Sequence, residues 1–178
     1  MKYIPNILTT LRLVLVPIFI SVYFSSSANN HLLALFIYII ASFTDFLDGF
    51  IARKYSVVSK LGSVLDPLAD KLMLLAVLFA FYLDNKIPLF ILVLMLVKES
   101  ILVLSATIMY LKKEPLVIPS NIFGKTATIV FTLSIILVFI LPEYKIGYIF
   151  MFIAILLKFT AFFSYFKITL SHILKHNN

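Results

Sequence analysis

The stretch TDFLDGFIARKYSVVSKLGSVLDPLADK, residues 44–71, holds four aspartates in a chain that is otherwise overwhelmingly apolar. They are half of the eight acidic residues in the 178-residue sequence. In a helix, Asp45 and Asp48 are three positions apart and share one face. Asp66 and Asp70, four positions apart, share a face of the next helix. Because only a short loop separates the two helices, they are expected to be antiparallel neighbours whose four carboxylates converge.

The rest of the chain has the composition of an integral membrane protein. Hydrophobic residues make up 62% and charged residues 13% of the sequence, whereas soluble proteins have about 45–50% apolar and about 25% charged residues. The mean hydropathy is +1.10. The net charge of +7 comes from basic residues scattered between apolar segments. This scatter argues against a nucleic-acid partner and favours anionic membrane lipids.

Six segments are apolar over about the 20 residues that a transmembrane helix needs. They cover residues 5–24, 31–53, 66–83, 87–110, 122–141 and 146–170. Ten lysines and arginines, Arg12 among them, lie in the N-terminal region, the 53–60 loop, the 112–125 region or the tail, whereas the alternate loops hold only Lys86 and Lys145. This asymmetry predicts cytoplasmic termini. The predicted fold is an all-α integral membrane bundle of six transmembrane helices, a single domain over residues 1–178, with its active site at the cytoplasmic side.

The carboxylate cluster predicts a metal site. Ionised carboxylates this close repel one another, and each is costly near a bilayer unless it is neutralised. The chain has no cysteine, and oxygen-only ligation favours Mg²⁺ or Mn²⁺, with Ca²⁺ as a competitor. Four carboxylates can hold one ion or two, and two ions suit phosphoryl transfer. A structural alternative is helix capping, since Asp66 followed by Pro67 fits an N-cap with proline at the first helical position.

Two of the four glycines lie in the same stretch. Gly49 removes side-chain bulk beside Asp48, where a phosphate or nucleotide could approach. It equally suits close helix packing through small residues, with Ala52 on a nearby face. Arg53, one turn beyond Gly49, offers a fork of donors to a pyrophosphate.

The pattern Asp48-Gly49-x2-Ala52-Arg53-x8-Gly62-x3-Asp66-x3-Asp70 resembles, without gap or substitution, the signature of the CDP-alcohol phosphatidyltransferase family. The segments IPNILTTLR at 4–12, ASFTDFLDG at 41–49 and LDPLADKLML at 65–74 are similar to one bacterial branch of that family. This resemblance implies transfer of the phosphatidyl group of CDP-diacylglycerol to glycerol 3-phosphate, with release of CMP. It also implies a multi-pass protein of the bacterial cell membrane.

The resemblance implies a role for each matching residue. Two ions, Mg²⁺ or Mn²⁺, would be held by Asp45, Asp48, Asp66 and Asp70, and Asp70 would also be the general base. The CDP-diacylglycerol headgroup would contact Asn6, Thr9, Gly49, Arg53, Ser59 and Gly62. Related enzymes are often homodimers, but the sequence identifies no subunit face, so a homodimer is an expectation from the resemblance alone.

The acceptor phosphate is expected to bind Lys98 and Lys125. Here the chain departs from related enzymes, because Lys98-Glu99 stands where they usually carry Arg-Glu. Ala106 and Ala127 also replace basic residues of the resembling pattern. Lys98 could instead pair with Glu99 or extend its charge to the membrane surface. Because the pocket has fewer basic side chains than in related enzymes, phosphatidylglycerol is an alternative acceptor. The chain would then be a cardiolipin synthase of the same superfamily.

A metal-cation transporter or channel is an alternative of another class, because such proteins also use intramembrane carboxylates. It would require acidic residues along a pathway through the membrane and helices broken near the midplane. The predicted cluster lies at one membrane edge, so this alternative ranks last. Lys71 and Lys158, like Lys98, fall inside predicted spans, where each is either a site candidate or a residue that extends to the membrane surface.

Overall fold

A computed structural model describes the backbone of residues 4–55, 62–111, 122–141 and 143–176. Side chains are described for residues 7–45, 47, 69, 71–101, 104, 124, 126–141 and 143–160. The chain divides into two compact units, Met1–Asn85 and Lys86–Asn178. The single domain over residues 1–178 stays a prediction.

All regular structure in the described residues is helical. The helices are α1 (Ile4–Tyr23), α2 (Asn30–Tyr55), α3 (Gly62–Leu83), α4 (Leu89–Leu111), α5 (Ile122–Ile140) and α6 (Tyr144–His176). The prediction of an all-α chain with six helices is thus confirmed for this part of the protein. Within it, no helix offers a described stretch long and apolar enough to cross a membrane.

One predicted helix start is wrong. Helix α3 begins at Gly62, so Asp66 is its fifth residue and not its N-cap. Pro67 removes one backbone hydrogen bond from the helix. It does not prevent an earlier start, because most helical stability in proteins comes from tertiary packing and not from local preference.

In the first unit, α1 packs against both α2 and α3. The fully buried side chains of α1 recur at helical spacing and comprise Thr9, Arg12, Phe19 and Tyr23. Small residues, among them Ala34 and Ala41 of α2 and Ala69, Ala76 and Ala80 of α3, are buried as well. Because alanine has the smallest side chain after glycine, these positions let the helices approach closely.

Polar contacts join the three helices at one end of this unit. The Tyr23 hydroxyl donates a hydrogen bond of 2.8 Å to Oδ2 of Asp84, which follows α3. The Asn30 amide, at the start of α2, donates to the carbonyl oxygens of Tyr23 and Ser25 at 2.9 and 3.0 Å. Asn85 has a φ of 57°, the left-handed conformation that commonly terminates helices. These contacts link the end of α1 to the start of α2 and to the end of α3.

In the second unit, α6 packs along α5 and also contacts α4. Helix α5 approaches α6 closely at Gly147, where an added Cβ would lie 2.4 Å from Cγ2 of Val138. The same Cβ would lie 2.8 Å from the backbone nitrogen of Val138. Only glycine fits this helix crossing without displacing the partner backbone.

Candidate active site

Asp45 is the predicted metal ligand whose side chain the structure describes. It continues the buried stripe of α2, since Tyr38 and Ala41 lie seven and four positions before it and are buried. The Asp45 side chain itself is 44% exposed. The buried face of α2 therefore opens at Asp45, which leaves the carboxylate accessible from outside the unit.

Arg12 of α1 meets Asp45 from the interior. Its Nη1 lies 2.7 Å from Oδ1 of Asp45, the length of a charge-assisted hydrogen bond. The Arg12 side chain is only 1% exposed, so the ion pair joins a buried guanidinium to a carboxylate at the surface of the unit. Thr9, a predicted contact of the CDP-diacylglycerol headgroup, lies one turn before Arg12 and is also buried.

The other three aspartates lie on α2 and α3. Asp48 lies on α2, three positions beyond Asp45, and Asp66 and Asp70 lie within α3. Ala69, which precedes Asp70, is fully buried. Helix α1 packs on both α2 and α3, so it contacts each of the two helices that carry the predicted metal ligands.

The metal ligands and the CDP-diacylglycerol contacts remain predictions. Ser59 and the side chains of Asn6, Asp48, Gly49, Arg53, Gly62, Asp66, Asp70 and Lys125 lie outside the described residues. Among the side chains that are described, no group of three or more His, Cys, Asp or Glu could hold a metal ion. The donor chemistry nonetheless fits, because the predicted set is carboxylate only and Asp45 presents an exposed carboxylate.

In the second unit, Lys98 of α4 donates to Oε1 of the adjacent Glu99. The two side chains are 11% and 10% exposed, so the pair is largely withdrawn from solvent. The ammonium group has three N–H donors, and one bond to Glu99 leaves others for a phosphate. The pairing expected as an alternative is therefore present, and phosphate binding by Lys98 stays a prediction.

Lys158 of α6 lies over the ring of Phe131 on α5, with its Nζ 4.3 Å from the ring centroid. This distance is within the range of a cation–π interaction. Phe131 is buried, so Lys158 contributes to the packing of α5 against α6.

Sequence reasoning missed the pairing of Arg12 with Asp45. It counted Arg12 only among the charges that set orientation. One signal was available, because Arg12 lies at i+3 from Thr9 inside the quoted segment IPNILTTLR, on the face that carries predicted contacts.

Comparison with known proteins identifies the family. The family model described as CDP-alcohol phosphatidyltransferase matches residues 2–160. The chain belongs to this family. The matched range includes the four aspartates and Arg12 of the first unit, and Lys98 and Lys125 of the second unit.

Relatives from several bacteria resemble the chain over different lengths. A protein of Rickettsia bellii (strain RML369-C) is 32% identical over 171 residues, which cover 92% of this chain and 93% of the relative. A protein of Aquifex aeolicus (strain VF5) is 32% identical over 148 residues, 82% of this chain and 80% of the relative. A protein of Rickettsia typhi (strain ATCC VR-144 / Wilmington) is 41% identical over 73 residues, 41% of each chain. All three are named CDP-diacylglycerol--glycerol-3-phosphate 3-phosphatidyltransferase.

Proposed function

We propose that this protein transfers the phosphatidyl group of CDP-diacylglycerol to a hydroxyl of glycerol 3-phosphate and releases CMP. The observation that carries the proposal is the similarity, over 92% of the chain, to a relative named for this activity. The Arg12–Asp45 pair supports it, because buried Arg12, one turn beyond Thr9 on α1, holds an exposed carboxylate in the part of the fold where the donor is predicted to bind.

Two divalent cations, Mg²⁺ or Mn²⁺, are proposed to be held by Asp45, Asp48, Asp66 and Asp70. When bound, they would neutralise the pyrophosphate of CDP-diacylglycerol and the charge that develops on departing CMP. Arg53 would donate to the pyrophosphate oxygens, since a guanidinium matches phosphate geometry with two parallel hydrogen bonds. The donor lipid is thereby oriented with its reactive phosphorus toward the acceptor.

Asp70 is proposed to act as the general base. Its carboxylate takes the proton of the acceptor hydroxyl, whose oxygen forms the new bond to the phosphorus of the phosphatidyl group. The bond between that phosphorus and the oxygen of CMP breaks, and CMP leaves with the electron pair. The products are phosphatidylglycerophosphate, CMP and the proton held by Asp70, which passes to solvent and restores the base, so atoms and charge balance without a further reactant.

Lys98 and Lys125 are proposed to bind the phosphate of glycerol 3-phosphate. Two observations make phosphatidylglycerol the second candidate acceptor. Ala127, in place of a basic residue, is fully buried, and Lys98 already shares its charge with Glu99. A pocket with fewer cationic side chains suits the single negative charge of a phosphodiester better than the double negative charge of a phosphate monoester.

We also propose that the six helices span the bacterial cell membrane, with the site at the cytoplasmic side. Exposed apolar side chains on α1 support this, since Ile7, Leu11, Val14 and Ile18 recur every three to four residues and are 42–62% exposed. Such a face is unfavourable in water and favourable against lipid.

The chain has no cysteine, so single-cysteine variants report the orientation of the chain in the membrane directly. Ser26→Cys should react with an impermeant maleimide in intact cells and Lys60→Cys only after lysis; the reverse pattern would refute the orientation.

The activity is tested by supplying purified protein with CDP-diacylglycerol, Mg²⁺ or Mn²⁺, and either glycerol 3-phosphate or phosphatidylglycerol. CMP release is expected with glycerol 3-phosphate alone. Release only with phosphatidylglycerol would establish the alternative, and release with neither would remove both. Asp48→Asn should lose turnover. Asp84→Asn is a matched control, because Asp84 accepts a hydrogen bond from Tyr23 at the C-terminal end of α1, and it should retain turnover per folded molecule.

A further inference from the structure

Arg12 occupies a position where an apolar side chain would ordinarily be expected. It lies in the buried stripe of α1 that continues through Phe19 and Tyr23. Burying a guanidinium is costly even when it is paired, and apolar residues of similar volume are often equally stable at such positions. Packing alone therefore does not account for an arginine here, and the residue it contacts is the more informative observation.

Arg12 contacts Asp45 from one side only, the buried side. The buried partner, Arg12, is 1% exposed, whereas the Asp45 side chain is 44% exposed. The bond of 2.7 Å engages one carboxylate oxygen, Oδ1, from the interior of the unit. A carboxylate has about four lone-pair sites on its two oxygens, so a bond on the interior side is compatible with a cation on the open side.

We propose that Arg12 is a positioning residue for the divalent-cation site, holding Asp45 from its buried side so that the exposed side of the carboxylate faces the cation. The inference rests on the proposed metal site. Hydrogen bonds from a second layer of residues commonly orient the carboxylates that bind metals, and their loss typically weakens metal binding about 10–100-fold. Arg12 also offsets one of the four negative charges of the cluster when no ion is bound.

The role is specific to a rigid, planar donor. A guanidinium fixes the direction of its hydrogen bonds, whereas the ammonium group of lysine is a flexible point charge. Arg12→Met removes the donor and the charge, and Arg12→Lys keeps only the charge. We expect both variants to bind Mn²⁺ more weakly than the unchanged protein, with the larger loss in Arg12→Met.

Tyr23→Phe is a matched control on the same helix. Tyr23 is likewise buried in α1 and donates at 2.8 Å to an aspartate, Asp84, at the C-terminal end of α1, about three turns beyond Arg12. Its loss should lower thermal stability without changing Mn²⁺ affinity. A purely structural Arg12 would behave in the same way, which separates the two roles.

The test measures Mn²⁺ binding to purified protein without substrate, from the electron paramagnetic resonance signal of the free ion, together with the melting temperature. We expect Arg12→Met to raise the Kd for Mn²⁺ about 10–100-fold. The Mn²⁺ concentration for half-maximal CMP release should rise in parallel, while turnover recovers at saturating Mn²⁺. Unchanged or tighter Mn²⁺ binding in either folded variant would overturn the proposal, and Arg12→Lys decides the matter if Arg12→Met does not fold.

Failure of the proposed reaction gives a different result. If the unchanged protein binds Mn²⁺ but releases no CMP with glycerol 3-phosphate, the proposed acceptor is wrong, and the positioning role still stands or falls by the Arg12 variants. If the unchanged protein binds no Mn²⁺, the positioning role is refuted together with the metal site.

Discussion

Replacing Gly147 by alanine should loosen the packing of α6 against α5. The new Cβ would lie 2.4 Å from Cγ2, 2.8 Å from the backbone nitrogen and 3.1 Å from Cα of Val138. A side-chain methyl group can rotate away, but the backbone of α5 can yield only if the two helices separate. Gly147 is buried at this crossing, so no empty space accommodates the added methyl group.

Two opposing effects set the magnitude. Alanine has the higher helix propensity, which by itself would stabilise α6 by at most about 1 kcal/mol. Inserting a methyl group into a packed interface typically costs about 1–3 kcal/mol. We therefore expect a net loss of about 1 kcal/mol in the free energy of unfolding. For a chain of this size, that corresponds to a melting temperature lower by about 2–4 °C.

The assay is thermal unfolding of the purified protein in detergent, followed by far-ultraviolet circular dichroism. Val138→Ala in the Gly147→Ala background removes the contact at 2.4 Å but leaves the backbone contacts at 2.8 and 3.1 Å. The double variant should consequently be more stable than the sum of the two single changes predicts, although less stable than the unchanged protein. Gly147→Ala with equal or higher stability, or strict additivity of the two changes, would refute the close approach.

Four further predictions concern the first unit and the site. Tyr23→Phe should cost about 1 kcal/mol by losing its bond to Asp84; equal melting of Tyr23→Phe and the control Tyr144→Phe would contradict this. Glu99→Gln should lower the KM for glycerol 3-phosphate roughly threefold by releasing positive charge on Lys98; an unchanged KM would argue against Lys98 as a phosphate ligand. Asp70→Asn should fold and bind CDP-diacylglycerol but lose about 10²–10⁴-fold in turnover; near-normal turnover would exclude it as the base. A chelator should abolish CMP release and added Mg²⁺ or Mn²⁺ restore it; activity that survives chelation would reject the metal site.

The helices themselves were predictable because local sequence signals mark where each apolar segment begins and ends. Each apolar segment is bounded by turn-forming and charged residues, and all six helices appear close to the expected positions. The error at Asp66 shows the limit of a local signal. An aspartate followed by proline is a frequent helix start, but α3 begins at Gly62, and most helical stability in proteins comes from tertiary packing.

Within the site, the sequence identified the residue types and not their partners. The spacing of Asp45 and Asp48 predicts a shared face because both lie on one helix. The bond from Arg12 to Asp45 joins two helices, and no periodicity in either segment specifies it. The adjacent pair of Lys98 and Glu99 was foreseeable as an alternative, because the side chains of adjacent lysine and glutamate are long enough to reach each other.

The sequence alone therefore determined the helical class, the acidic cluster and the family pattern, all of which depend on composition and on spacing along one chain segment. Only the tertiary structure decided that Arg12 meets Asp45, that Tyr23 bonds to Asp84 across 61 positions, and that Gly147 touches Val138. Such contacts depend on how helices rotate and approach when they bury their faces together. That choice is made by the packing of all neighbouring side chains at once, so no single segment contains it.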